Sequence, residues 1–347
     1  MGNILSFLLE YGGCSIQYRI KREIMKVNLS SIELLKLQKQ ILNKPKVIKI
    51  LEKRQVDGWI GNELHGGRGK GLDSSVSFLI DNGVEQDSKI MRDVVTALLS
   101  ENKDVLYRTT FKGGEALDSG GRGGNNAVKA GILADLGEED NEFVQNEMEI
   151  SLCYLRDSLK YNSIDDFSEV NKKGVRYYKR DAHFPGANHL NLLSATHSWR
   201  SAENVEMVKT SMTHCFNIMQ EHSHNITFKA DKHFVGPFNF NWNLAEFNIS
   251  KIEEDSYALV WWLRNLNKMS KIGVIQDVTN LKKSYDYLYE LVKSKDLLYK
   301  QSEASLKRFK DILSVENNWR KKESIYCDVM FYGIMILHYA GYDIENL

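Results

Sequence analysis

Proline is the scarcest structural signal in this chain. Only three occur, Pro45, Pro185 and Pro237, where average usage would supply roughly 17. The shortage removes the commonest helix breaker and fits long, uninterrupted helices. Cysteine is nearly as sparse. Cys14, Cys153, Cys215 and Cys327 are far apart and form no Cys-x-x-Cys, so a secreted disulfide framework is not indicated and free thiols in a reducing compartment are expected. Charge of one sign is also lacking: 46 Lys and Arg balance 46 Asp and Glu. That balance, with basic residues scattered rather than arrayed on one helix face, argues against a nucleic-acid partner. No apolar run reaches the length of a bilayer span; the longest, Val329 to Ala340, reads as a buried helix. The first residues lack a basic stretch followed by an apolar core and a cleavage site. Met1 to Ser6 fits the loose N-myristoylation pattern, which matters only in a eukaryotic host. These absences lead to the expectation of a cytoplasmic protein with no membrane span.

What is present is enough apolar residue, 42% of 347, to bury one large core or two ordinary ones. The most informative feature is self-similarity. Gly66-Gly67-Arg68-Gly69 recurs as Gly120-Gly121-Arg122-Gly123, an offset of 54 residues, and the same offset lays Leu79-x-Asp81-x-Gly83 on Leu133-x-Asp135-x-Gly137. Looser copies of the helix end fall at Ile272-Gly273 and Ile336-Leu337-x-x-x-Gly341, and a degenerate one at Leu192 to His197. An apolar helix that ends on a glycine, followed by a short acidic turn and an acid-opened helix, is a helical hairpin. Stacked hairpins bury one continuous core. Helical patterns cover most of the chain; 160–186 and 221–254 are not clearly helical, and Val175 to Tyr178 and Ile226 to Phe228 suit short strands or extended loops.

Gln55-Val56-Asp57-Gly58-Trp59 resembles the Q-x-x-D-G-x-W element of squalene-cyclase and prenyltransferase repeats. The resemblance implies an all-α fold, an α/α toroid of helical hairpin repeats around a central cavity, covering 45–347 with residues 1–44 as an added N-terminal helical cap. It points to uncharacterised bacterial prenyltransferase-like proteins and assigns no reaction. The Asp-x-Asp-Asp acid of the cyclases is missing, since Ile164-Asp165-Asp166 lacks the first Asp. The Asp-x-Cys zinc pair of protein prenyltransferases is replaced by Cys327-Asp328 in reverse order, with His338 downstream.

Several residue sets could carry chemistry. Asp165-Asp166-Phe167-Ser168-Glu169 has the D-D-x-x-E form of a magnesium motif or of a solvated acidic turn. His222, His224 and His233 are the weak metal candidates; no standard zinc spacing is met. His183 and His189 flank a loop that enters a helix and suit acid–base work or capping. Trp199-Arg200, Trp262-x-Arg264 and Trp319-Arg320 suit anion or cation–π contacts, or core tryptophans with snorkelling arginines. In a toroid, loops entering the inner helices form the cavity mouth. The expected site therefore takes His183, His189, Asp328 and His338 as catalytic candidates. His65, Asp118, Trp199, Arg200, Trp262, Arg264 and Cys327 are expected to bind ligand. The expected ligand is a small apolar or anionic molecule, such as an isoprenoid. The alternative is a non-catalytic helical-repeat scaffold for protein–protein interaction.

Overall fold

The computed structural model describes residues 4–100, 110, 113–219, 226–230, 233–235, 252, 257–274, 277–344 and 347. It is mainly helical. Helices α1 (Ile4–Tyr11), α2 (Cys14–Arg19, continued by a π-turn over Ile20–Ile24), α3 (Ile32–Leu42) and α4 (Pro45–Leu51) precede strand β1 (Glu63–Arg68). Then follow α5 (Leu72–Asp81), α6 (Lys89–Leu99), α7 (Gly114–Ser119), α8 (Asn125–Asp135), α9 (Glu142–Ser158) and α10 (Ile164–Phe167). Strands β2 (Ser168–Val170) and β3 (Arg176–Tyr178) form an antiparallel pair, and Tyr177 bridges to Thr227. Next come α11 (Ala187–Ala195), α12 (Ala202–Met219), and the short pair β4 (Phe228–Ala230) and β5 (His233–Val235). The chain ends in α13 (Ala258–Ile272), α14 (Thr279–Lys293), α15 (Asp296–Tyr299), α16 (Glu303–Ile312) and α17 (Lys322–Tyr339). The extended segments expected near Tyr177 and Thr227 are therefore real, and they pair with each other.

The sequence repeat becomes a repeat of backbone. Gly83, Gly137, Gly273 and Gly341 follow α5, α8, α13 and α17, and all are left-handed, with φ of 86°, 86°, 82° and 77°. After α5, the Gly83 amide donates to Ile80 O and the Val84 amide to Leu79 O; after α8, Gly137 and Glu138 donate to Ala134 O and Leu133 O. Gly341 and Tyr342 repeat the pattern on His338 O and Leu337 O. These six-to-one closures need a residue without a Cβ penalty at positive φ. The unit ending at Thr196 has no such glycine, and its backbone leaves the helix extended. The Gly137 Cβ position is open, whereas a Cβ at Gly83 lies 2.9 Å from Tyr18 Cδ1. Gly137→Ala should therefore lose only the left-handed penalty, about 1 kcal/mol, and Gly83→Ala measurably more. Equal losses in urea unfolding would contradict the packing at Tyr18.

The helices contact one another in sequence-spaced succession. α5 packs on α8, α8 on α11, α11 on α13 and α13 on α17. Behind them α9 lies on α8 and α11, α12 on α9 and α14, and α14 on α17. The N-terminal helices lie against the last helix and the end of α5. α1 and α2 pack on α17. From α2, Ser15 Oγ donates to Asn82 O (2.7 Å), and Arg19 donates to Asp81 O (3.3 Å) and to Tyr339 Oη (2.8 Å). All four cysteines are free thiols. No described helix is long and apolar enough to cross a membrane.

Candidate functional site

Helix α13 carries the clearest anomaly of side-chain placement. Its neighbours α11 and α17 bury Leu259, Trp262, Leu263, Leu266 and Met269. The positions i, i+4, i+7, i+11 and i+14 from Tyr257 fall on one face, and they hold Tyr257, Trp261, Arg264, Lys268 and Lys271. Trp261 is 45% exposed, and the Arg264 guanidinium lies 5.3 Å from its ring centroid. The expected Trp262–Arg264 pairing is therefore replaced. Trp262 is fully buried, edge-on to Tyr287, and its Nε1 has no partner.

Titratable groups of β1, α8 and α17 interact with this stripe, and Asp81 of α5 acts on those groups in turn. Arg264 interacts electrostatically with Arg68 of β1 and with Tyr332 of α17. Lys268 interacts with His65 of β1, and Lys268 and Lys271 both interact with Asp135 of α8. Lys271 Nζ also sits 5.2 Å from the Tyr339 ring centroid. Asp81 of α5 acts on Asp135, Arg68 and Tyr332. Burial pushes the Asp135 carboxyl up to about 6, assisted by Asp81 and opposed by Lys271 and Lys268. Arg68 is exposed, yet partial desolvation of its guanidinium lowers it, with Arg264 adding to the effect and Asp81 opposing it. Asp81 and Asp135 are the aspartates of the two L-x-D-x-G copies, so the repeat brings two carboxylates within electrostatic reach of each other. On β1, His65 Nδ1 meets Asp73 Oδ2 at 2.6 Å, and that bond raises the imidazole against the opposing effect of burial. The other Asp73 oxygen accepts from the Gly66 and Ser74 amides, so one carboxylate orients both the ring and its loop.

His183 and His189 come together elsewhere, each packed against the Tyr154 ring of α9, with centroids 4.7 and 5.0 Å away. His183 is largely exposed, and its Nδ1 contacts Asp157 Oδ2 at 2.7 Å. His189 is buried, and its Nδ1 accepts from the Gly186 amide at 3.0 Å. Burial, with Arg122 nearby, pushes this imidazole down to about 3. Arg122 of the second Gly-Gly-Arg-Gly loop is 4% exposed, and its guanidinium lies 4.2 Å from the Tyr178 ring centroid. It donates only from Nη2, to Lys179 O at 3.1 Å; Nε and Nη1 have no partner. A cation–π contact returns about 2 kcal/mol and one hydrogen bond from a charged donor about 1.5–3 kcal/mol. Burying an ion without a counter-charge costs several kcal/mol. The guanidinium is under-compensated, and burial lowers its pKa despite the surrounding phenols.

The other expected residues sit at places that hold backbone or core. Asp118 accepts from the Asn125 and Asn126 amides (3.0 and 3.2 Å) and so caps α8. Trp199 is buried, with Nε1 donating to Leu193 O and Thr196 O. Arg200 lies beside the Trp199 ring and donates to Lys271 O at 2.6 Å. Cys327 is buried, and burial pushes its thiol up to about 12. Asp328 is buried and accepts from the Val315 amide (2.9 Å) and Trp319 Nε1 (2.7 Å). His338 is half-buried beside Tyr339, and burial with Lys26 lowers it. Asp165 pairs with Arg176, and Asp166 accepts from the Asn162 and Ser163 amides, so these two acids start the single helical turn α10 and its cap. His222 and His224 lie outside the described residues; His233 belongs to β5. Among the described residues, no group of three or more His, Cys, Asp or Glu could hold a metal ion.

Sequence reasoning passed over Tyr154, Asp157, Trp261, Lys268 and Lys271. The 3.6-residue phase of 257–271 was a usable signal for the last three; Tyr154 and Asp157 had none, since their partners are distant in the chain. No family model, no curated protein and no solved structure matches the chain.

Proposed function

We propose that this chain is an α/α toroid of helical hairpins, similar to the prenyltransferase and squalene-cyclase repeat proteins, and that its interior binds or transforms a small elongated anion. The toroid reading rests on the succession α5–α8–α11–α13–α17–α2 and on the 54-residue register. The ligand reading is carried by one observation: the stripe of α13 where exposed aromatic side chains are followed by Arg264, Lys268 and Lys271. An apolar tail suits Tyr257 and Trp261, and an anionic head suits the three cations. The opposing Asp81 and Asp135 then discriminate against ligands of excessive negative charge. The His65–Asp73 pair is the available acid–base group.

Dodecyl phosphate below its micellar concentration is a suitable probe, with tryptophan fluorescence and calorimetry as readouts. A saturable one-to-one site is expected, weakened about tenfold or more by Arg264→Glu with Lys268→Glu. The melting temperature of that variant should change little, because Arg264 is exposed. Absence of saturable binding, or binding that ignores the variant, would favour the scaffold for protein–protein interaction.

A further inference from the structure

Arg122 is the one described arginine whose buried guanidinium keeps two nitrogens unpartnered while the described titratable groups acting on it are neutral. Its electrostatic neighbours are the phenols of Tyr178, Tyr154 and Tyr161 and the imidazole of His189. Among the described residues, no carboxylate acts on it. The sister residue in the first loop shows that the motif does not require this. Arg68 is exposed, lies over Phe78 and donates to Ile312 O. The second loop instead is shaped for close approach. Gly121 is left-handed, and the Tyr154 hydroxyl occupies the space that a Cβ there would fill. Gly123 is also left-handed, with His189 Nε2 3.2 Å from its Cβ position.

We propose that Arg122 anchors a second ligand site, separate from the α13 stripe, that takes a small oxyanion: the carboxylate or phosphate head of an organic molecule. Nε and Nη1 supply the unpaired donors, and the neutral aromatic walls of Tyr154 and Tyr178 supply a surface on which no competing anion is fixed. The 179–186 loop covers the guanidinium through the Lys179 carbonyl. That loop is tied down at His183, whose amide donates to Tyr161 Oη (2.8 Å) and whose ring meets Asp157. Entry requires the loop to lift and exchanges the Lys179 carbonyl for a charged acceptor, a stronger partner for a guanidinium. The resting geometry has a donor set in excess of its acceptors, and an oxyanion corrects that imbalance.

The test uses the full chain with inorganic phosphate and with acetate, each against chloride at equal ionic strength. Calorimetry, melting temperature and the ring proton resonances of His183 and His189 are the readouts. At least one anion should bind saturably, raise the melting temperature and shift the resonance of His189, which is buried and acted on by Arg122. Binding of phosphate alone assigns a phosphate head, and binding of acetate alone a carboxylate. Arg122→Met should weaken that binding about tenfold or more, yet melt no lower than the parent in chloride buffer without phosphate or acetate, because it removes an uncompensated buried charge. Saturable binding of neither anion overturns the proposal. So does binding that leaves His183 and His189 unshifted, and so does a large loss of melting temperature in Arg122→Met, which would make the cation–π contact structural. The wild-type resonances decide the matter should the variant fail to fold.

Discussion

Asp328→Ala should destabilise the protein by about 3–5 kcal/mol, the range for uncovering the partners of a buried charged group. The carboxylate is buried on α17, where it accepts from the Val315 amide and from Trp319 Nε1. It therefore pins the 314–319 segment onto the last helix. The same segment supplies Val315 O to the Lys44 ammonium, which also donates to Ser15 Oγ (2.7 Å) and Asn82 Oδ1 (2.6 Å). Burial pushes this ammonium down to about 8 while Cys14, Glu316 and Asp328 hold it up. Removing Asp328 thus strands two donors and weakens a buried network that ties α2, α4, the end of α5 and α17 together. Asp328→Asn keeps one acceptor of two and should cost less than Ala. Equilibrium urea unfolding checks the order. A loss below about 1 kcal/mol for both variants would show that the bonds contribute little.

Acidification should expose the second large effect, at His189. Its imidazole is held down to about 3 by burial and by Arg122, against about 6.5 in an unfolded chain. Between these values the unfolded state binds the proton and the native state does not, so stability falls as pH falls below about 6.5. At pH 3 the cumulative loss from this group is on the order of 4 kcal/mol. Several carboxyls raised by burial act oppositely, Asp118, Glu316 and Asp328 among them. Burial raises Glu85 and Glu147 to about 7 and Asp135 to about 6. Each of these favours the fold at low pH and loses that contribution as pH rises through 4–7. The His189 effect is isolated by comparison with His189→Gln, whose stability should depend less steeply on pH between 6 and 4. The His189 ring resonance should stay constant from pH 8 to pH 5. A titration midpoint near 6.5 would remove the basis of the prediction.

The helix ends were legible because they are local. Leu79-x-Asp81-x-Gly83 and Leu133-x-Asp135-x-Gly137 encode a closure that needs only an apolar turn and a residue free at positive φ, and both copies adopt it. The acidic stretch at Asp165 and Asp166 was equally readable as a capped turn. The orientation of long apolar helices was less so. Trp261 and Trp262 are adjacent and so point about 100° apart. The i, i+3 relation joins Arg264 to Trp261, a pairing that sequence proximity to Trp262 obscured. On α17 apolar residues occupy every side, so no phase marks where Asp328 points.

The two Gly-Gly-Arg-Gly loops divide what the chain determined by itself from what folding decided. Their spacing, the helices that follow them and the glycines that end those helices are local consequences of residue type, repeated because the residues repeat. Whether each arginine meets solvent or the interior is not local. Arg68 ends β1 and reaches the Ile312 carbonyl, whereas Arg122 is roofed by Tyr178 and Lys179, more than fifty residues further along the chain. Desolvation, and with it the charge balance of the site, is set by whatever segment the tertiary fold lays on top.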